Sequence, residues 1–492
     1  MRAPSPDAAG RKRHTDGDGR ISAGMLFCVL LGRERLQMNL AGLFAKKGGG
    51  FNPTRLVALS FGAIILLGAL LLTLPVASRD GQSAGFLTGL FTATSATCVT
   101  GLVLADTFTQ WTLFGQVVIL TCIQLGGLGF MTVLTTLSMA LHRRIGLSER
   151  MMIASTFNLN GMEGVVRVVQ HALKGTLALE GAGAILLSLC FIPRMGLLQG
   201  IWAGIFHAVS SFCNAGFDLM GGLYGENTSL IGWNSQPVVL LVTGFLIMVG
   251  GLGFFVWEDL WKKRSWRGLS VYSKLVLGVT GLLILSGTVF FLWAEYSNPL
   301  TLGDMPFWQQ ALNALFQSIT LRTAGFDSLG QGSLREISVV VSILFMLIGG
   351  SSGSTAGGLK TGTLAILLLA LRAGMRGSEQ VTIRERAIPF RRVLDAMTLT
   401  VTAMTLFLCG SILITVVEGL PFLSVAFEVA SALGTVGLTT GITPGLSPLS
   451  HLVLIILMYL GRVGILSFSL AFLTRGRSAA KLKYPEIQVM IG

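Results

Sequence analysis

Charged side chains are scarce in this sequence. Asp, Glu, Lys and Arg together make up 12% of the 492 residues, against roughly a quarter in a typical soluble protein. Apolar residues make up 52%, and the mean hydropathy is +0.72. Many apolar runs come close to the roughly 20 residues that a helix needs to cross a bilayer. The scarcity of charge excludes an ordinary soluble domain and predicts a multi-pass membrane protein.

Motifs of disulfide, metal and nucleotide sites are also missing. The six cysteines lie mostly within apolar stretches without CxxC spacing, which indicates neither a disulfide framework nor a zinc site. The five histidines form no HExxH pattern, and no GxxxxGKS/T loop is present. Intramembrane catalysis would need a positioned nucleophile, paired carboxylates or metal ligands. We therefore expect that the chain is not an enzyme and holds no covalently bound cofactor.

The basic residues are unevenly distributed along the chain. Of the 36 Lys and Arg, 29 lie in five segments, namely 1–55, 141–170, 262–274, 371–392 and 474–492. These segments are every second connection between apolar runs, so the positive-inside rule places them, with both termini, in the cytoplasm. The opposite connections are mostly acidic. The net charge of +13 therefore predicts orientation in a cell membrane and not binding to nucleic acid.

The first 50 residues form a polar, basic extension. Its apolar run, residues 21–32, is too short to span a bilayer. A signal-peptide core is one interpretation, since Arg11, Lys12 and Arg13 precede the run, but no clear small-residue cleavage site follows. We expect an interfacial cytoplasmic helix instead. A start of translation at Met38 stays open.

Four short segments of the sequence resemble one another. Each is small and hydroxyl-rich and ends in glycine plus a bulky apolar residue: TSATCVTGL (94–102), SSFCNAGF (210–217), SITLRTAGF (318–326) and SALGTVGL (431–438). The shared glycines, Gly101, Gly216, Gly325 and Gly437, are 115, 109 and 112 residues apart. Apolar stretches too short to cross a bilayer precede them: 86–93, 201–209, 308–317 and 422–430. Such even spacing indicates a fourfold internal repeat.

This repeat predicts an all-α membrane protein. Each unit is a long helix, a short pore helix, an extended loop and a second long helix. The chain would then have eight transmembrane helices and four re-entrant pore hairpins, with pseudo-fourfold symmetry around one central pore. The paired long helices are predicted at 54–77 with 111–140, 170–192 with 234–261, 271–297 with 335–370, and 393–418 with 448–474. The predicted order is a cytoplasmic N-terminal extension, four pore repeats and a cytoplasmic C-terminal tail: 1–50, 51–140, 141–262, 263–375, 376–474 and 475–492.

The four loops predict a cation filter. Non-helical backbone at membrane depth requires surrounding protein or water, so the loops should share one cavity. Pore helices that enter from outside point the negative ends of their dipoles towards it, and loop carbonyls can replace the hydration shell of K+. Glycine suits this position because it adopts positive φ and has no Cβ. The predicted potassium selectivity filter consists of Thr97, Cys98, Val99, Thr100, Gly101, Cys213, Asn214, Ala215, Gly216, Leu321, Arg322, Thr323, Ala324, Gly325, Gly434, Thr435, Val436 and Gly437.

At these residues the sequence resembles the Trk/Ktr/HKT superfamily of potassium transporters, and within it the KtrB-type membrane subunits of bacterial Ktr uptake systems. The similarity covers about residues 52–492, including IQLGGLGFMT (123–132), GGSSGSTAGGLKT (349–361) and MYLGRVGILSF (458–468). The resemblance implies potassium uptake, often with Na+ as activator, by a homodimer in the bacterial plasma or inner membrane. It also implies a cytoplasmic ring of KtrA-like regulatory subunits, which bind the nucleotide. In the superfamily, serine at the first filter glycine accompanies sodium permeation, and this chain has Gly101 there.

Glycines interrupt the second long helix of the third repeat. Residues 349–362 contain six glycines among 14 residues, too many for a stable helix. We interpret this segment as a movable intramembrane gate beneath the filter, as the resemblance also implies, and a packed kink without motion is the alternative. The predicted gate residues are Gly349, Gly350, Gly353, Gly357, Gly358, Lys360, Gly362 and Arg462.

Three basic residues fall inside the predicted membrane region, where an unpaired charge is costly. Arg462 matches the superfamily's arginine below the filter, and a salt bridge to Glu180 or Glu428 is the alternative. Lys360 is expected to pair with an acidic side chain or to snorkel to the inner interface. Arg322 is expected to support the third filter loop from behind, because an arginine in the bore would oppose cations.

An alternating-access transporter is the competing transport mechanism, because broken helices at mid-membrane also occur in those folds. It predicts inverted two-part symmetry and buried titratable residues that couple ions to substrate. The fourfold repeat in one direction favours a pore.

Overall fold

A computed structural model describes residues 53–129, 165–378, 380–383 and 386–464. The predicted N-terminal extension (1–50) and C-terminal tail (475–492) lie outside the described residues. The same holds for residues 130–164, which include the predicted boundary between the first two repeats.

The described elements are helices apart from one short hairpin. The α-helices are α1 (Pro53–Thr73), α2 (Phe86–Thr97), α3 (Thr107–Gln110), α4 (Leu113–Leu128), α5 (Val165–Met195), α6 (Leu197–Cys213), α7 (Gly221–Tyr224), α8 (Pro237–Leu252), α9 (Phe254–Lys263), α10 (Val271–Glu295), α11 (Phe307–Thr320), α12 (Glu336–Leu347), α13 (Thr361–Met375), α14 (Phe390–Glu418), α15 (Phe422–Gly434) and α16 (Pro448–Val463). The hairpin pairs β1 (Thr382–Ile383) with β2 (Arg386–Ala387) in antiparallel register, with Thr382 opposite Ala387.

Long apolar helices dominate this architecture. Within the described ranges, three segments are long and apolar enough to cross a membrane, namely Gln170–Met195, Val271–Glu295 and Phe390–Glu418, and α8 with α9 makes a fourth if the bent pair is one span. Many leucines on the outer surface of the fold are exposed, such as Leu67 (61%) and Leu285 (65%). Such a surface is unfavourable in water and suited to lipid. The chain is therefore an all-helical membrane protein.

Each of the four short apolar helices packs against long neighbours. In the first, second and fourth predicted repeats the short helix lies against both long helices of its own unit: α2 on α1 and α4, α6 on α5 and α8, and α15 on α14 and α16. In the third, α11 packs on α10 and on α8 of the preceding unit. All four are longer than predicted, because their apolar patterns continue into the hydroxyl-rich segments. Thr97, Cys213 and Gly434 are consequently the last residues of α2, α6 and α15.

The second long helices differ from the prediction in the opposite direction. Continuous helices were expected over 111–140, 234–261 and 448–474, but α4 ends at Leu128, α8 ends at Leu252 and α16 ends at Val463. The residue that follows each end is a glycine with φ of +81° to +89°: Gly129, Gly253 and Gly464. Glycine in this conformation stops a helix without the steric cost that a Cβ would add. After Gly253 the chain continues as α9, at 95° to α8.

Candidate ion pathway

The loops that follow the four short helices meet at their glycines. Each glycine lies against the carbonyl oxygen that precedes the next glycine, and a Cβ added to it would lie within 3 Å of that oxygen: Gly101 against Ala215, Gly216 against Ala324, Gly325 against Val436 and Gly437 against Thr100. The separation is 2.5 Å at Gly101, closer than real Cβ atoms approach. The four contacts close into a ring, and any side chain larger than hydrogen would force it apart.

Positive φ angles recur at two equivalent positions of each loop. The four glycines have φ between +70° and +97°. Two residues before each glycine stands a non-glycine residue with φ between +53° and +67°: Val99, Asn214, Thr323 and Thr435. Positive φ is unusual for β-branched residues such as valine and threonine, and each such residue stores about 1–3 kcal/mol of strain that the surrounding structure must hold. Backbone strain repeated at one position in four loops marks this as a functional site.

Hydrogen bonds tie the loops back to the short helices. In the first loop Thr100 N donates to Ser95 O (2.8 Å), and in the fourth Val436 N donates to Ser431 O (2.8 Å). The same two serines accept from the glycines, since Gly101 N and Gly437 N each donate to a serine Oγ at 3.0 Å. In the second loop Ala215 N donates to Ser210 O at 2.7 Å. The amides are thus occupied on the helix side, which leaves the loop carbonyls available to a cation.

The interrupted segment between α12 and α13, residues 348–360, lies directly beneath these loops. We call it the gate loop. It closes on itself, since Gly349 N donates to Leu359 O at 2.8 Å. Thr355 Oγ1 donates to Phe212 O at the end of α6 (3.1 Å), and a Cβ added to Gly358 would lie 3.2 Å from Gly434 O. The gate loop therefore contacts the second and fourth predicted filter segments.

Arg462 reaches the gate loop through hydrogen bonds to backbone. Its guanidinium donates to Thr355 O, to Gly126 O (2.5 Å) and to Gly127 O (3.2 Å). Among the described residues Arg462 forms no salt bridge to Glu180 or Glu428, which was the alternative. Glu180 accepts from Gln124 instead. Glu428 is likewise turned elsewhere, since it accepts from three threonines of the loop after the fourth filter segment.

Lys360 and Arg322 likewise form no ion pair with a carboxylate in the described part of the chain. Lys360 Nζ donates to Ala356 O (2.6 Å) and Gly357 O (3.3 Å), so it binds carbonyls of its own gate loop and not an acidic partner. Arg322 is 8% exposed, and its side chain lines a small cavity with Ile247 and Ile319. This apolar setting beside α8 and α11 supports a place behind the third loop.

The sequence analysis did not identify a glycine motif that recurs at the ends of the second long helices of three repeats. Added Cβ atoms at Gly126, Gly250 and Gly461 would collide with the carbonyls of Thr97, Phe212 and Leu433, which are the residues four positions before the filter glycines. The motif reads GGLG at 126–129, GGLG at 250–253 and GRVG at 461–464. Comparison of the three helix ends would have found it. Arg462 occupies the position that Gly127 and Gly251 occupy in the other two motifs.

A cavity of about 1020 Å³ opens below the filter loops. Its lining combines apolar residues with both gate cations, and includes Phe61, Gly127, Tyr272, Lys360, Asp395 and Arg462. Four basic side chains in the wall, those of Lys360, Arg386, Arg392 and Arg462, would oppose a potassium ion in transit by Coulomb repulsion. The arrangement therefore places a candidate filter above, a loop below it, and a cationic chamber under the loop.

On the side of the filter away from the gate loop, carboxylates mainly accept hydrogen bonds from the backbone of nearby loops. Asp106 accepts from the N–H groups of Phe108 and Thr109 at 2.9 Å, and Asp327 accepts from several N–H groups of its own turn. Asp218 follows the second filter segment directly. Burial, with smaller contributions from the nearby Asp106 and Asp327 carboxylates, raises the pKa of Asp218 to about 7. Asp218 therefore changes charge near neutral pH.

The sequence and the fold of this chain are similar to those of known cation transport proteins. The family model described as TrkH, cation transport protein, matches residues 53–481. The chain is 42% identical to potassium/sodium uptake protein NtpJ of Enterococcus hirae, over 90% of this chain and 97% of that protein. It is 40% identical to Ktr system potassium uptake protein B of Bacillus subtilis, again over 90% and 97%. The crystal structure of the potassium transporter TrkH from Vibrio parahaemolyticus has a similar fold, with a TM-score of 0.67 at 19% identity, over 85% of this chain and 83% of that one.

Proposed function

The chain belongs to the TrkH family of cation transport proteins, and from this premise we propose that it takes up potassium through the ring of four glycine loops. Family membership confirms the resemblance drawn from the filter segments, and it confirms that the chain is a transporter and not an enzyme. Relatives named as potassium uptake proteins match nearly their whole length. This full-length match supports carrying their substrate to the present chain.

The closed ring of glycines and carbonyls is the observation that carries the proposal. Each glycine lies against the carbonyl that precedes the next glycine of the ring, so the backbone carbonyls of four loops line one passage. Carbonyl oxygens in such a passage replace the hydration shell of K+, and the C-terminal ends of α2, α6, α11 and α15 add negative potential at the same place. The pseudo-fourfold pore and the roles of the eighteen filter residues follow from this proposal.

The gate is proposed to consist of residues 349–362 together with Arg462. Contacts with the filter from above and with Arg462 from below support a loop that blocks the path in the position described here. Movement of the loop away from Phe212 and Gly434 would open the cavity to the filter. The glycines of the loop allow such movement, because they lack side chains to anchor and tolerate several backbone conformations.

The remaining parts of the proposal concern regulation and assembly. We propose that Na+ activates transport, that the working form is a homodimer and that a cytoplasmic KtrA-like ring, which binds the nucleotide, sets the position of the gate loop. We place both termini in the cytoplasm. The basic segments at every second connection support this orientation, and the names of the Ktr system relatives support a multi-subunit system.

Potassium uptake by a deficient host tests the proposal. Expression of the wild-type chain with a KtrA-like partner should restore growth at low potassium, and rubidium influx into liposomes should follow the cation gradient passively. Gly101→Ala should reduce influx at least about tenfold, because its Cβ meets Ala215 O at φ +97° and left-handed backbone alone costs about 1–2 kcal/mol. Gly62→Ala is the matched control, since nothing lies within 4 Å of that Cβ position. Failure of an inserted wild-type protein to rescue growth would argue against potassium uptake.

A further inference from the structure

An exposed basic and aromatic segment follows the bend between α8 and α9. Residues 260–268, with the sequence LWKKRSWRG, are nine consecutive exposed residues that include four basic side chains and no acidic one. Trp261 is 80% exposed and Trp266 is 56% exposed. The 95° bend at Gly253 turns this part of the chain away from the direction of the apolar helix α8. We call residues 260–268 the interfacial segment.

Its charges are only partly balanced within the protein. Lys262 pairs with Glu258, and Lys263 pairs with Asp259 at 3.0 Å, each one helical turn away. Arg264 and Arg267 have no carboxylate partner within salt-bridge distance in the described part of the chain. These two arginines stand on either side of the exposed Trp266 in the sequence. Each Lys or Arg near an anionic membrane surface raises the affinity for that surface by about fivefold. Tryptophan favours the same headgroup layer.

The interfacial segment is joined to the gate loop at both of its flanks. On the first side, Phe254 N donates to Gly353 O at 3.0 Å, and a Cβ added to Gly253 would lie 2.8 Å from Ser352 O. On the other side, Tyr272 Oη donates to Ser352 O at 3.4 Å. Two neighbouring carbonyls of the gate loop are thus held by residues that bracket the segment.

The segment also behaves as one unit with these flanks. Ser270 N donates to Asp259 at 2.8 Å, and Lys274 Nζ donates to Arg267 O at 2.9 Å. Trp257 Nε1 donates to Val249 O at 2.9 Å, which fixes α9 to α8. Displacement of the segment would therefore be passed to Ser352 and Gly353 through short, hydrogen-bonded connections.

We propose that the interfacial segment binds anionic phospholipid headgroups of the adjacent leaflet and thereby holds the gate loop under the filter. Charge complementarity with a phosphate-rich surface and the two exposed indoles favour a bilayer over a protein partner. Bound lipid would favour the gate-loop position described here, so anionic lipid should lower ion flux. The regulatory consequence rests on the proposed transport function, whereas the lipid contact does not depend on it.

Lipid retention on the purified full-length protein tests the contact directly. Native mass spectrometry should show that the wild type in detergent retains phosphatidylglycerol in preference to phosphatidylcholine. Arg264→Gln/Arg267→Gln should lower the affinity for phosphatidylglycerol by about 25-fold, as two arginines contribute about fivefold each. The matched control is Arg372→Gln/Arg376→Gln, which removes equal charge from exposed residues outside the segment and should change it less than about twofold. Equal losses in both double variants would overturn the proposal.

Rubidium influx into liposomes with and without 30% phosphatidylglycerol, measured with a KtrA-like ring present, tests the coupling to the gate. Wild-type influx should be lower in the anionic vesicles, and influx through Arg264→Gln/Arg267→Gln should be the same in both. Trp261→Ala/Trp266→Ala supplies a second variant, and size-exclusion elution shows whether each remains folded. Weaker binding of a KtrA-like ring with unchanged lipid retention would replace lipid by a protein partner. Absence of wild-type influx in every vesicle would contradict the transport function while retention still decides the lipid contact.

Discussion

Replacement of Arg462 by alanine should open the pathway without any regulatory subunit. The guanidinium holds two different parts of the protein, since it donates to Thr355 O in the gate loop and to Gly126 O and Gly127 O at the end of α4. Only the bond to Thr355 holds the mobile element of the proposed gate. The other two bonds should contribute to the stability of the fold and not to the open-to-closed ratio.

The expected magnitude follows from that single bond. A hydrogen bond to a charged group contributes about 1.5–3 kcal/mol, and about 1.4 kcal/mol is a factor of ten in an equilibrium constant. The open-to-closed ratio should therefore rise by about ten- to a hundredfold in Arg462→Ala. Loss of a positive charge from the cavity wall acts in the same direction, because it reduces repulsion of K+.

Rubidium influx into liposomes measures this ratio when no regulatory subunit is present. Arg462→Ala should raise influx at least about tenfold, and Arg462→Lys should raise it less because an ammonium group can still donate to Thr355 O. Arg335→Ala is the control, since that exposed side chain donates to Ser297 Oγ and lies far from Arg462 in the chain. Folded Arg462→Ala protein with wild-type influx would refute the role of Arg462 in closure.

Three further predictions concern the gate loop, the outer mouth and the loop after the fourth filter segment. Deletion of residues 352–356 should raise rubidium influx in the absence of the regulatory subunit, and unchanged influx would favour a packed kink. Because the pKa of Asp218 is raised to about 7, its carboxylate is charged above pH 7 and neutral below it. Lowering the outer pH from 8 to 6 should therefore reduce the attraction of cations and lower uptake by about two- to fivefold. Asp218→Asn should remove this pH dependence. Glu428→Gln should lower the free energy of unfolding by about 1.5–3 kcal/mol in thermal melts, since its buried carboxylate accepts from Thr439, Thr440 and Thr443 and charged hydrogen bonds are the stronger ones. Glu336→Gln, at an exposed position, should leave the melting temperature unchanged.

The filter region was accessible to sequence reasoning because repetition compensates for weak local signals. A single glycine after a hydroxyl-rich stretch has many possible meanings, but Gly101, Gly216, Gly325 and Gly437 recur at nearly equal spacing. Equal spacing predicts equivalent places in the fold, and the structure brings the four together. The identity of the conducted ion came from the resemblance and not from the spacing.

The helix ends and the contacts of Arg462 were harder to predict. Apolar residues continue past Gly129 and Gly464, so hydropathy alone predicts longer helices, whereas positive φ at these glycines ends them. The partners of Arg462 and Lys360 are backbone carbonyls. Because every residue has a carbonyl, the sequence cannot indicate which one accepts a hydrogen bond. Charge patterns can suggest only carboxylate partners, and the described part of the chain contains no such partner for either residue, although one was offered as an alternative for each.

Ion selectivity measured across liposomes is the most direct test of the ring as a potassium filter. Protein that carries the open-gate substitution Arg462→Ala, with glycine kept at position 101, should carry rubidium and potassium but exclude sodium in competition assays. Adding Gly101→Ser should lower rubidium influx and weaken the discrimination between potassium and sodium in protein that stays folded, because the new Cβ would lie 2.5 Å from Ala215 O and force the ring apart. Equal discrimination between potassium and sodium with glycine or serine at position 101 would contradict a filter built from these four loops.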